Sequence, residues 1–119
     1  MWEYQATVNR VIDGDSIEVT VDLGFRLSQV LLVRLFGINT PETNSKDEGE
    51  RLKAQQAKKC LESMLPGKQL LVKTVKPKDK YGRWLAEIWL PGLQLESVNT
   101  HLLNLGLAKP WDGQGEKPV

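Results

Sequence analysis

Leu31-Leu32-Val33-Arg34-Leu35-Phe36-Gly37-Ile38-Asn39-Thr40-Pro41-Glu42 is a long apolar run that carries one arginine and then breaks into Asn-Thr-Pro-Glu. Apolar residues at both parities predict a strand covered on both faces. A guanidinium in such a strand keeps its charge and is costly to bury unless something anionic meets it. Arg34 therefore calls for a partner, either a carboxylate of the protein or a phosphate from outside. Pro41 bars continuation of the strand's ladder and biases Thr40 to an extended backbone. Asn39, the Thr40 carbonyl and Glu42 are thereby expected to gather at one end of the sheet.

Upstream, residues 4 to 12 are rich in β-branched and aromatic side chains and predict a first strand. Asp13-Gly14 is a hairpin signal. Ile17, Val19 and Val21 then alternate with Glu18, Thr20 and Asp22, which predicts a second strand with one buried face. The same parity aims Asp15 at the buried side, at the strand's very end, hence at the mouth of the core. Leu23-Gly24-Phe25 turns the chain into the third strand.

Downstream, residues 43 to 49 read as a polar loop. Residues 48 to 64 follow helical spacing, with Ala57, Cys60, Leu61 and Met64 on one apolar stripe and Pro66-Gly67 as the stop. Strands are expected over 70–75 and 84–90. A short helix is expected over 96–105, with Val98, Leu102 and Leu105 on one face and Gly106 ending it. The fold class is mainly β (β+α): a five-stranded OB-type barrel with one helix between strands 3 and 4 and a second near the C-terminus. One domain over 1–110 and a loose tail over 111–119, rich in Gly, Pro and charge, complete the expected organisation.

A chain of 119 residues has room for one modest core. Its net charge of +1 makes it no polycation, so nucleic-acid binding would require a local patch. Such a patch exists in the sequence. Lys68, Lys73, Lys76, Lys78, Lys80 and Arg83 face a single acid, Asp79, between positions 68 and 83, with Tyr81 available to stack on a base. Its bland reading is a solvated basic loop. One cysteine, Cys60, excludes an internal disulfide, and one histidine, His101, argues against a histidine-rich zinc site or a Ser-His-Asp triad. Cys60 reads as core, His101 as helix surface, and the tryptophans as packing, with Trp111 alone suspected of touching a ligand. No apolar stretch spans a membrane and no leader pattern is visible, so a cytoplasmic monomer is the default, or a secreted one if a leader has been removed. The Asp15 carboxylate, Asn39 amide and Thr40 carbonyl, with Glu42 nearby, form a set of hard oxygens suited to Ca²⁺ or Mg²⁺ rather than zinc. The bland alternative is strand termination and a surface loop.

Together these residues resemble the staphylococcal nuclease (thermonuclease-like) family. The matching pieces are Val11-Ile12-Asp13-Gly14-Asp15-Ser16, Arg34 through Glu42, Asp79-Lys80-Tyr81-Gly82-Arg83, and Gly106-Leu107-Ala108-Lys109, in the family's order. The resemblance implies a calcium-dependent, sequence-nonspecific nuclease that cleaves DNA and/or RNA to 3′-phosphate and 5′-hydroxyl ends, with Mg²⁺ binding without supporting activity. It implies Asp15, Asn39 and Thr40 at the metal, Glu42 positioning or deprotonating the attacking water, and Arg34 and Arg83 holding the scissile phosphate. Lys80 and Tyr81 are implied beside the bound nucleotide. Three departures stand out. Asn39 replaces a carboxylate, which predicts weaker Ca²⁺ binding. The loop after Glu42 is short. The pair of tyrosines and the last helix expected after Lys109 are absent. The alternative is a catalytically weakened nuclease-like barrel that binds nucleic acid or a protein partner.

Overall fold

The computed structural model describes residues 2–42, 44–65, 67, 69–76, 82–90 and 96–110. Chain order runs β1 (Trp2–Asp13), β2 (Ser16–Gly24), β3 (Leu27–Leu35), β4 (Ile38–Asn39), α1 (Glu48–Met64), β5 (Gln69–Lys76), β6 (Trp84–Trp89), α2 (Val98–Asn104) and β7 (Lys109–Pro110). Five of these close a barrel in the order β1-β2-β3-β6-β5, antiparallel except where β3 runs parallel to β6. This is the expected OB-type barrel, with α1 inserted between the third and fourth barrel strands. A small ribbon of β4 and β7 was not anticipated, because two-residue strands carry no periodic signal.

Alternation does what strand geometry requires. Ile17, Val19 and Val21 point inward from β2, with Val33 and Leu35 from β3, Val72 from β5 and Ile88 from β6. Leu61 and Leu65 enter the same core from the α1 side, and Val98 and Leu102 from α2. Asp47 caps α1 by accepting from the Gly49 N–H at 3.1 Å, and Glu48 and Glu50 suit the positive end of its dipole. Gly106 ends α2 in the left-handed region (φ 74°). Its N–H donates to the Leu103 carbonyl, and the Leu107 N–H to that of Leu102, each at 3.1 Å.

Several expectations need correction. The apolar run is covered on both faces only at its end: Val33, Arg34 and Leu35 are buried, whereas Leu27 and Val30 are exposed. The cause is that β6 pairs with β3 only at residues 33–35. Leu105 is 51% exposed, because α2 stops at Asn104 and Leu105 is already its cap. Asn99 takes the buried place instead. On α1 the buried stripe is Ala54, Ala57 and Leu61, with Cys60 and Met64 half-buried beside it. The β1–β2 turn is centred one residue later than expected, on Gly14 and Asp15, since Asp13 still pairs with Ser16. Likewise the β2–β3 turn centres on Phe25 and Arg26, both with positive φ, and Phe25 is 97% exposed. The tail over 111–119, including Trp111, lies outside the described residues.

Candidate active site

Four strand ends and one loop build the site. The β1–β2 turn presents Asp13, Asp15 and Ser16; β3 presents Arg34; the chain leaving β4 presents Asn39, Thr40 and Glu42; Arg83 stands just before β6. Register brings them together, because Ser16 pairs with Arg34 across β2–β3 and Arg34 with Leu85 across β3–β6. The resulting cleft of about 330 Å³ collects Asp13, Asp15, Arg34, Asn39, Thr40, Glu42 and Arg83.

Its floor is a buried polar network. Arg34, 5% exposed, donates from Nη2 to Asp15 Oδ2 at 3.4 Å and to Asn39 Oδ1 at 3.2 Å, and from Nη1 to the Leu35 carbonyl at 3.4 Å. The partner demanded by a buried guanidinium is thus a protein carboxylate, supplemented by an amide oxygen. Thr40 turns its N–H onto the same Asp15 Oδ2 at 3.3 Å. Ser16 links the second arginine: Arg83 Nη1 donates to Ser16 Oγ at 3.1 Å, which donates to Asp15 Oδ1 at 3.3 Å. Both guanidiniums therefore converge on Asp15, one directly and one through a hydroxyl. Most of these bonds lie at the long edge of the usual range, so they can be exchanged for stronger anionic acceptors.

Asp13, which reads in the sequence as part of a turn, belongs to the site. Burial, with the Asp15 carboxylate beside it, pushes its pKa from 3.8 up to about 6, while the Arg83 charge opposes the shift more weakly. Ser16 is the other member that sequence reasoning missed; only the pairing of β2 with β3 shows its role. Gly14 is required by contact rather than by its backbone angle. A Cβ there would lie 2.8 Å from Ala57 Cβ and 2.8 Å from Thr40 Oγ1, so α1 and the Thr40 backbone can approach the turn only because residue 14 has no side chain. Glu42 is exposed at the rim. The Ser45 N–H donates to the Glu42 carbonyl at 3.2 Å, and Ser45 Oγ donates to Glu50 Oε2 at 2.6 Å, tying this loop to α1. Lys80 and Tyr81 lie outside the described residues.

Among the described residues no group of three or more His, Cys, Asp or Glu side chains is arranged as a ready metal cage. The donor set nonetheless fits a hard divalent cation. Asp15 Oδ2 and Asn39 Oδ1 converge within 3.4 Å of a single nitrogen, and every available donor is oxygen.

The family model described as staphylococcal nuclease homologue matches residues 32–117. The chain belongs to the staphylococcal nuclease family. It is 36% identical to a thermonuclease of Staphylococcus intermedius over 103 residues, covering 86% of this chain and 56% of that protein. It is 33% identical over 105 residues to an SPbeta prophage-derived endonuclease of Bacillus subtilis, covering 87% of this chain and 33% of that protein. Against a micrococcal nuclease of Shigella flexneri it is 30% identical over 125 residues, covering 94% and 65%. This member of the family thus spans little more than half the length of the thermonuclease it matches.

Proposed function

We propose that this chain is a metal-dependent nuclease that hydrolyses phosphodiester bonds of DNA and/or RNA with little sequence preference, using Ca²⁺ and leaving 3′-phosphate and 5′-hydroxyl ends. The observation that carries the reading is the convergence of Arg34 and Arg83 on Asp15, in a cleft whose rim holds Glu42. Attack on a phosphodiester builds charge on the non-bridging oxygens, and planar guanidiniums match those oxygens with paired N–H bonds. The buried Arg34 guanidinium is a fixed stabiliser of that developing anion.

Glu42 accepts a proton from a water at the rim as the water oxygen bonds to phosphorus. The P–O5′ bond then breaks, the leaving 5′ oxygen takes up a proton from solvent water, and Glu42 returns its own proton to solvent. Asp15, Asn39 and the Thr40 carbonyl would hold the cation, which supplies Lewis-acid stabilisation of the phosphoryl oxygens. Asn39 lends an oxygen without charge, which supports weaker Ca²⁺ binding and keeps a second reading in play, a weakened barrel that binds nucleic acid without efficient cleavage.

The test is cleavage of a fluorescent single-stranded DNA under a Ca²⁺ titration, with Mg²⁺ and chelator controls, on the native chain and Glu42→Gln. The nuclease reading expects calcium-dependent cutting that drops by about 10²–10⁴-fold in Glu42→Gln while binding persists. Binding that weakens as salt rises, without cutting at any Ca²⁺ concentration, would establish the binding module instead.

A further inference from the structure

Beside the cleft lies a groove of about 250 Å³ that none of the roles above uses. It shares Asn39, Pro41 and Glu42 with the cleft, so the two form one continuous depression. Their chemistry differs. The cleft presents charge, whereas the groove is walled largely by carbon from Pro41, Leu107 and Ala108. Lys53 from α1 and Lys109 from β7 also line it, and Lys109 is set there by its pairing with Asn39. Of the two acids in this groove, Glu42 is shared with the cleft and Glu50 already accepts the Ser45 hydroxyl. Four separate pieces build these walls: α1, the β4–β7 ribbon, the loop from Pro41 to Ser45, and the Gly106–Leu107 turn that ends α2.

An apolar slot that leads off a phosphate-holding cleft and carries ammonium groups repeats the chemistry of a nucleic-acid strand: phosphate, then sugar and base, then phosphate. We propose that the groove is a subsite for one nucleoside of the substrate strand, the one flanking the scissile phosphate on the Glu42 side. Its apolar faces lie against Pro41 and Leu107, and Lys53 and Lys109 meet the phosphate beyond it. The size suits a single sugar and base rather than a longer segment. A wall of carbon reads no base edge, so purines and pyrimidines are accepted alike. The assignment rests on the nuclease reading and adds to it a second contact with the strand.

Thymidine phosphodiesters that carry a nucleoside on one side of the scissile phosphate, and either a methyl group or a second nucleoside on the other, define a single cut and allow the flanking nucleoside to be added on the 5′ or the 3′ side. With Ca²⁺ present, addition on the groove's side is expected to raise kcat/KM about tenfold, the scale of one base laid on a protein surface. Lys53→Trp places an indole into the groove from an exposed helix position and should abolish that gain on one side of the cut only. Leu107→Ala should reduce it several-fold. No gain from extension on either side would overturn the subsite. So would a gain that survives Lys53→Trp, or a loss on both sides alike.

The same phosphodiesters titrated by fluorescence anisotropy against Glu42→Gln separate the two claims. Extension that tightens binding, with the gain lost on adding Lys53→Trp, in a native chain that cuts nothing, would sink the nuclease reading and leave the groove standing. Cutting without any extension effect would do the reverse.

Discussion

Replacing Gly14 by alanine separates a glycine needed for its backbone from one needed for its missing side chain. Gly14 has no positive φ, so alanine is conformationally admissible there and would lower the entropy of the unfolded chain, a stabilisation of about 0.4–1 kcal/mol. The new methyl, however, would lie 2.8 Å from Ala57 Cβ, 2.8 Å from Thr40 Oγ1 and 3.1 Å from Thr40 Cβ. Carbon atoms settle at about 3.5–4.0 Å; Thr40 Oγ1 can turn about χ1, but the Cβ atoms of Ala57 and Thr40 sit one bond from backbone and cannot swing away. Either α1 or the β4 exit must shift. Overpacking of this kind costs about 1–3 kcal/mol, leaving a net loss of up to about 2.5 kcal/mol.

Urea titrations and thermal melts of Gly14→Ala, Ala57→Gly and the double variant measure this loss. For a chain of this size each kcal/mol moves Tm by roughly 4 °C. Ala57→Gly alone should cost about 1 kcal/mol as a helix-interior glycine. In the double variant the cost of Gly14→Ala should fall by about 1 kcal/mol, since one of the overlaps is gone and the Thr40 overlap remains. A Gly14→Ala variant as stable as the native chain or more so, with no coupling to residue 57, would refute the close-approach argument and return Gly14 to an ordinary turn role.

Asn99, 4% exposed, accepts the Ile88 N–H at 3.1 Å and donates to the Phe36 and Ala86 carbonyls at 2.8 and 3.1 Å, pinning α2 to β6 and to the turn after β3. Asn99→Ala should therefore cost about 3 kcal/mol in urea unfolding; a loss below about 1 kcal/mol would mean the network is solvated. Asn39→Asp adds a carboxylate where an amide now faces Arg34, and calorimetry should show Ca²⁺ affinity rising about tenfold; unchanged affinity would remove residue 39 from the ligand set. The raised pKa of Asp13 means that the folded state prefers its protonated form. In chelator, the stability it contributes is present below about pH 4 and lost as pH rises through about 6. Melting temperatures across that window should show this fall in the native chain and not in Asp13→Asn; identical profiles would place the titration elsewhere.

The barrel was legible because its signals are local. β2 alternates cleanly, α1 has an apolar stripe at helical spacing, and Gly106 stops α2. Arg34 was legible as a problem, a charge inside an apolar strand, which is why the sequence could demand an anionic partner without naming it. What failed were boundaries and short pieces. Both hairpin turns sit further along the chain than their sequence signals placed them, Leu105 fell outside a helix that ended one residue early, and the β4–β7 ribbon is too short for any periodicity.

Residue order alone determined the strand and helix pattern, the place of Arg34 and Glu42 at a chain break, and the family resemblance carried by four short motifs. Tertiary structure alone decided which carboxylate meets Arg34, that Ser16 relays Arg83 to Asp15, that Asp13 is a crowded site acid rather than a turn residue, and that Gly14 is there to let α1 in. The reason is range. Propensity and periodicity act over a few neighbours, whereas Arg83 reaches Ser16 across 67 positions and Asp15 reaches Thr40 across 25. Contacts at that separation exist only once closure of the barrel has set the register of every strand.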